Sequence, residues 1–265
     1  MELDLKGKNA FVGGSSKGIG KAVAVALAKL GANVTLAGRD EPALVQGLID
    51  LSFISSGEQR HDYIAVDFSN CERVRGAVSK HIKKTNKVYH ILVNNTGGPP
   101  SGKIHDAEEK DFLAAFEMHL LNNHLLVKMM TDGMIQEGYG RIINIISTSV
   151  KQPLPNLGVS NTIRAAVANW AKTLANELGV HGITVNNVLP GATDTDRLRQ
   201  LIRTKSEKQN IDPEVVKNEM LQEIPMKRFA KPEEVAAAVA FLASPAASYI
   251  NGINLPVDGG RTGCL

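Results

Sequence analysis

Near its start the chain carries Gly14-Ser15-Ser16-Lys17-Gly18-Ile19-Gly20. Residues of this type, at this spacing, can hold a phosphate. Glycines tolerate positive φ and let a backbone approach a ligand closely. If a helix follows, its free N–H groups and its dipole favour an anion. The flanks suit this chemistry. Asn9 to Val12 reads as a short buried strand, and Ile19 to Leu30 has helical apolar spacing that stops at Gly31. A strand, a glycine turn and a helix together predict a dinucleotide site, with its phosphates on Gly14, Ser16, Lys17, Gly18, Ile19 and Gly20. The competing interpretation is a tight turn that binds nothing.

The rest of the chain alternates strand and helix, as a positioning scaffold of this kind requires. Further strands are expected at Asn33–Ala37, Tyr63–Val66, Tyr89–Val93, Arg141–Ile146, Ile183–Val188 and Ile253–Val257. Helices are expected after Asp40, which caps Glu41 and Pro42, and over Cys71–Lys84, Glu108–Glu137, Asn161–Gly179 and Pro232–Leu242. Strands flanked by helices imply a Rossmann-like, doubly wound parallel sheet of about seven strands, covered on both faces. No stretch resembles a linker, so residues 1–265 are read as a single α/β domain. The one deviation is the charged excursion Thr193–Arg228, with a helical piece at Pro213–Glu223. It follows the carboxyl end of a strand, where such sheets bind ligands, and is read as a substrate lid. The alternative is a solvated surface loop.

Composition excludes several classes. The 265 residues are 43% hydrophobic and 22% charged, an ordinary globular balance. Net charge is only +3 and no basic block interleaves with aromatics, so no nucleic-acid partner is expected. The two cysteines, Cys71 and Cys264, form no framework, and no Cys/His spacing resembles a zinc site. The N-terminus lacks an apolar leader and no apolar run could cross a bilayer, so no membrane partner is expected, and a cytoplasmic setting is.

The spacing Gly14-x3-Gly18-x-Gly20 resembles the pattern of the short-chain dehydrogenase/reductase family, in particular its 3-oxoacyl-acyl-carrier-protein reductases. Asn94-Asn95-Thr96-Gly97 is similar to the family's N-N-A-G. Asp67 resembles the residue that meets the adenine. Pro190-Gly191, followed by Thr193, resembles the segment beside the nicotinamide. The resemblance therefore implies cofactor roles for Asp67, Asn94, Thr96, Gly97, Pro190, Gly191 and Thr193. Charge then bears on which cofactor. NAD-preferring enzymes place a carboxylate at the end of the second strand. Here that place is Gly38, followed by Arg39, and Lys17 lies in the glycine turn. Two cations without a carboxylate suit a 2′-phosphate, so NADP(H) is expected.

At the catalytic positions the resemblance breaks. The family pattern has a Ser after the fifth strand, a Tyr-x-x-x-Lys thirteen residues on, and an Asn on the preceding helix. Ser147 stands at the first place, but Ser160 and Arg164 stand where Tyr and Lys belong, and His119 where Asn belongs. A serine is a far weaker acid than a phenol, whose pKa is about 10. An arginine can bond ribose hydroxyls and stabilise an oxyanion but cannot act as an acid or base. His119 is expected to titrate near neutrality and to feed a proton through water, unless it is simply packed. The four tyrosines, Tyr63, Tyr89, Tyr139 and Tyr249, begin or precede strands and are expected to lie away from the cofactor.

Three functions follow from this pattern. The first is a working NADP(H)-dependent reductase of a carbonyl or alcohol substrate, with altered proton delivery by Ser147, Ser160, Arg164 and His119. The second is an impaired member that binds cofactor or serves assembly. The third is a different reaction on the same scaffold. The resemblance also implies a homotetramer or homodimer built on the helices around Leu120, Leu121, Leu125, Leu126, Met129 and Met130.

Overall fold

The computed structural model describes residues 1–264. Seven parallel strands form one sheet: β1 (Asn9–Val12), β2 (Asn33–Gly38), β3 (Asp62–Ala65), β4 (Ile91–Asn94), β5 (Gly140–Ile145), β6 (Ile183–Pro190) and β7 (Asn254–Val257). Their order across the sheet is β3-β2-β1-β4-β5-β6-β7. The chain runs outward from β1 to β3 and then crosses back, so β1 and β4 are neighbours whose following loops diverge. Ligands of doubly wound sheets bind at such a switch point, at the carboxyl ends of the strands. Both the glycine turn after β1 and the segment Asn94-Asn95-Thr96-Gly97 after β4 lie there.

Helices cover both faces, as the near-continuous apolar strands require. On one face α1 (Gly18–Lys29), α2 (Glu41–Ile54) and α9 (Pro232–Ala243) bury Val23, Leu27, Leu44, Leu51, Val235 and Val239 against the sheet. On the other, α3 (Cys71–Thr85), α5 (Asn122–Gln136) and α6 (Gly158–Leu178) bury Val74, Val78, Leu126, Met130, Ala171 and Ala175. Local signals set the ends of these helices. Asp40 accepts from the Ala43 N–H at the start of α2, and Asn70 accepts from the Arg73 N–H at the start of α3. Gly31, at φ +97°, turns the chain out of α1.

Three features depart from the sequence expectation. The helix expected over Glu108–Glu137 is α4 (Glu109–Phe116) and α5 joined by a π-turn at Glu117–Leu121, which carries His119. Single π-turns inside helices re-aim side chains and cluster at functional sites. The excursion at 193–228 holds two helices, α7 (Asp196–Gln209) and α8 (Pro213–Gln222), not one. They have a small core of their own, Leu198, Ile202 and Val216. The stripe on α7 is so narrow between charges that periodicity missed it. Finally, four asparagines in register form an amide ladder through the sheet. Asn94 Nδ2 donates to Asn144 Oδ1 at 2.8 Å, Asn144 to Asn187 at 2.9 Å, and Asn187 to Asn254 at 2.8 Å. A buried amide without partners costs about 1–3 kcal/mol, so the chain of bonds fixes β4 to β7 beneath the site.

Candidate active site

The glycine turn expected to seat the phosphates is built by close backbone approach. Gly14 and Gly18 adopt φ +55° and +58°, and a Cβ on Gly20 would lie 2.2 Å from the Gly14 carbonyl oxygen. Asn95 locks the turn: its Nδ2 donates to the carbonyls of Gly13 at 3.1 Å and Gly14 at 3.3 Å. Ser15 ties the turn to β2 through the Ala37 N–H at 2.9 Å. Ser15 and Asn95 belong to the two segments that the sequence marked, the glycine turn and Asn94-Asn95-Thr96-Gly97, but neither was given a role of its own there. No side chain caps the first N–H groups of α1, so they remain open to an anion. Ile19 packs into the core behind the turn.

The two cations expected at the 2′-phosphate are both exposed. Gly38 ends β2 beside Ser16, where a Cβ on Gly38 would lie 3.8 Å from the Ser16 Cβ and Oγ, so Arg39 follows directly next to the turn. Lys17 lies 3.5 Å from Asp196 at the start of α7. The same end of α7 touches the turn a second time, because Thr195 lies 3.4 Å from where a Gly18 Cβ would be. The expected lid therefore rests on the glycine turn. Thr193 donates to the Gly191 carbonyl, Pro190 closes β6, and Asp67 accepts from the Ser69 N–H. Gly97 is exposed with open space around its Cα.

At the other end of the site, Arg164 on α6 donates from Nε to Ser160 Oγ at 3.2 Å and from Nη1 to the Ile145 carbonyl at 3.2 Å. Ser147, just past β5, accepts from the Ser149 N–H. A cavity of about 10 Å³ lies between Arg164, His119, Thr96, Asn94 and Asn123. His119 is 5% exposed; its Nδ1 is 2.9 Å from Thr96 Oγ1 and its Nε2 has no partner. Thus Thr96 faces His119, and Asn94 binds the amide ladder through Nδ2 while its Oδ1 stays open.

The electrostatics correct one expectation. His119 does not titrate near neutrality: burial pulls its pKa down to about 3, with the charge of Arg164 adding to the effect. Burial also lowers Arg164, to about 10, with Arg197 contributing, and it stays charged at neutral pH. Three of the four tyrosines are engaged elsewhere, and the fourth is in solvent. Tyr89 packs on Phe11 and donates to Thr35, Tyr139 donates to the Ala243 carbonyl, Tyr63 donates to Glu41, and Tyr249 is fully exposed.

A seven-stranded parallel sheet with a glycine turn at its switch point defines a Rossmann-like α/β scaffold. More narrowly, the chain belongs to the short-chain dehydrogenase/reductase family. The family model described as "Enoyl-(Acyl carrier protein) reductase" matches residues 14–262. The chain is 32% identical to the NADPH-dependent reductase BacG of Bacillus subtilis, covering 96% of this chain and 97% of that one. It is 34% identical to the 3-oxoacyl-[acyl-carrier-protein] reductase FabG of Vibrio cholerae, covering 97% and 98%. Among solved structures it is similar to L-sorbose reductase from Gluconobacter frateurii complexed with NADPH and L-sorbose, at TM-score 0.93, 32% identity and full coverage of both chains. No helix among the described residues is long and apolar enough to cross a membrane.

Of the apolar residues expected at a subunit interface, Leu125, Leu126 and Met130 are buried within the chain, and Leu120 and Met129 pack partly against its cores. Most of that apolar surplus is therefore ordinary core packing. Leu113, Phe116 and Leu121 remain exposed.

Proposed function

We propose that the chain is an NADP(H)-dependent reductase of a carbonyl substrate that works without a tyrosine acid. The observation that carries this is the Arg164–Ser160 bond beside the His119 cavity, with the hydroxyls of Tyr63, Tyr89 and Tyr139 held elsewhere and Tyr249 out in solvent. NADP(H) is the cofactor: the open start of α1 takes its phosphates, Lys17 and Arg39 its 2′-phosphate, and Asp67, Pro190, Gly191 and Thr193 line its remaining length. When bound, it supplies the hydride.

The chain's residues handle the charge that appears on the carbonyl oxygen. Arg164 places a permanent cation beside that oxygen, where low dielectric strengthens its effect. Ser147 and Ser160 donate hydrogen bonds that fix the carbonyl. His119 acts as a neutral imidazole. With Thr96 donating to Nδ1, the ring proton sits on Nε2 and faces the cavity, and a neutral imidazole in that state can polarise a carbonyl. The cavity has room for one water, which carries the proton from solvent to the oxyanion. A single domain, with α7 and α8 as the substrate lid, completes the site. Leu113, Phe116 and Leu121 support self-assembly into a homodimer or homotetramer through the α4 and α5 surface.

A second reading, a cofactor-binding member without turnover, is favoured by the absence of any phenol from the site. NADPH oxidation measured on a panel of ketones and 3-oxoacyl thioesters separates the two. Turnover on a panel member supports the reductase. Stabilisation by NADPH with no turnover anywhere supports the binder.

A further inference from the structure

A second arginine reaches the catalytic end from the lid. Arg197, on α7, donates from Nη2 to the Pro99 carbonyl at 2.7 Å. That bond brings its guanidinium over Gly98. Arg164 Nη2 and Arg197 Nη2 lie 3.6 Å and 3.8 Å from the point where a Gly98 Cβ would sit. Two partly buried cations from different elements therefore meet above one glycine. Their only hydrogen-bond partners among the described residues are neutral oxygens: Ser160 Oγ and the Ile145 carbonyl for Arg164, and the Pro99 carbonyl for Arg197. A guanidinium has five N–H donors, so most of these donors are left for a ligand. No carboxylate among the described residues pairs with either group. The acids that flank Arg197 in sequence are already occupied, since Asp194 and Asp196 bind Arg199, and Asp196 also faces Lys17.

Gathering like charges in a partly desolvated place is unfavourable unless an anion joins them. Each guanidinium feels that cost, because burial lowers both and Arg197 further lowers Arg164. The cofactor phosphates are not the natural anion here. Their seat is the glycine turn, which α7 meets through Thr195, whereas Arg197 turns toward Pro99 on the loop after β4, on the side of Arg164 and the His119 cavity.

We propose that Arg197 and Arg164 together form a carboxylate clamp, so that the substrate is an oxo acid whose carboxylate lies one or two carbons from the carbonyl being reduced. The short reach follows from the double use of Arg164, which bonds Ser160 at the catalytic end and faces Gly98 at the clamp. Planar guanidinium groups suit a carboxylate bidentately. Arg197 is in this role a specificity-determining residue. Closing the lid delivers half of the clamp, which couples substrate capture to the cover over the cofactor. As a statement about turnover this rests on the reductase reading; as a statement about binding it does not.

The test is calorimetric binding to the protein–NADP⁺ complex of two matched pairs: 2-oxo-4-phenylbutanoate with its ethyl ester, and acetoacetate with its methyl ester. At least one acid is expected to bind about 30-fold more tightly than its ester, the range set by charge-assisted hydrogen bonds. Arg197→Gln is expected to erase that preference while leaving the NADPH Kd unchanged, which also shows that the variant is folded. Equal binding of acid and ester in both pairs overturns the clamp. So does an Arg197→Gln variant that keeps the preference, or one that loses NADPH affinity instead. Acid binding without NADPH oxidation leaves the clamp standing and defeats the reductase reading alone.

Discussion

Arg164 Nε donates to Ser160 Oγ at 3.2 Å, one turn apart on α6. The bond joins a permanent cation to a hydroxyl that accepts from it. A serine is a poor proton donor because its hydroxyl is a weak acid, and the arginine bound to it cannot resupply a proton. In the mechanism we propose, charge stabilisation and proton supply fall to different groups: Arg164 to the first, and the His119 cavity to the second.

The tyrosines are the clearest control. Tyr63→Phe, Tyr89→Phe, Tyr139→Phe and Tyr249→Phe are each expected to keep kcat within about threefold, since general acid catalysis removed outright costs about 100-fold or more. Tyr89→Phe also costs stability, because it strands the Thr35 hydroxyl in the core. A hundredfold fall in kcat in any of the four, with the fold intact by thermal melt, would assign the acid to that phenol.

Ser160 and Arg164 are expected to separate sharply on substitution. Ser160→Ala is expected to lower kcat less than about tenfold, the loss of one hydrogen bond. Arg164→Ala is expected to lower it about 100-fold or more, as for a lost oxyanion partner. Equal losses would mean that the serine is itself the proton donor.

Protonation of His119 makes stability depend on pH. Its pKa is about 3 when folded, against the ordinary 6.5 when unfolded. Below pH 6.5 the unfolded chain binds the extra proton, so this contribution to stability is complete above pH 6.5 and is lost as pH falls toward 3. At pH 5 the loss is about 2 kcal/mol. His119→Asn removes this titration, while the other buried histidines are common to both proteins. The stability of wild type minus variant, from denaturant unfolding, is therefore expected to shrink between about pH 7 and pH 5. A constant difference contradicts a neutral, buried His119.

Cofactor preference is expected to follow two exposed cations. Lys17→Ala with Arg39→Ala should raise the Kd for NADPH by tenfold or more, from two lost charge-assisted contacts to phosphate, and leave NADH nearly unchanged. Gly20→Ala, by contrast, should weaken both nucleotides, because its Cβ would lie 2.2 Å from the Gly14 oxygen and displace the turn itself. Equal loss of both nucleotides in the Lys17/Arg39 variant, measured by nicotinamide fluorescence, would remove those cations from the 2′-phosphate.

Most of the fold was legible because it rests on local signals. Apolar runs marked all seven strands, and Asp40, Pro42 and Gly31 marked helix ends within a residue or two. The glycine turn was legible because glycine spacing encodes backbone geometry directly. What stayed hidden depends on tertiary structure. The π-turn at Glu117–Leu121 leaves no periodic trace and is set by packing, yet it places His119. The acidity of His119 follows from burial and from Arg164, which is 45 positions away in the chain. The asparagine ladder needs the strand order and the register together. Arg197 read as one charge among many on the lid until the Pro99 carbonyl fixed it over Gly98.

The most direct test of a reductase without a tyrosine acid is transfer of deuterium from C4-deuterated NADPH to an oxo-acid substrate, followed by mass spectrometry of the product. Deuterium on the new carbinol carbon, at unchanged rate when all four tyrosines are phenylalanine, is the expected result. Full occupancy by NADPH with no labelled alcohol from any oxo acid, ketone or 3-oxoacyl thioester tested would contradict it and leave a cofactor-binding protein.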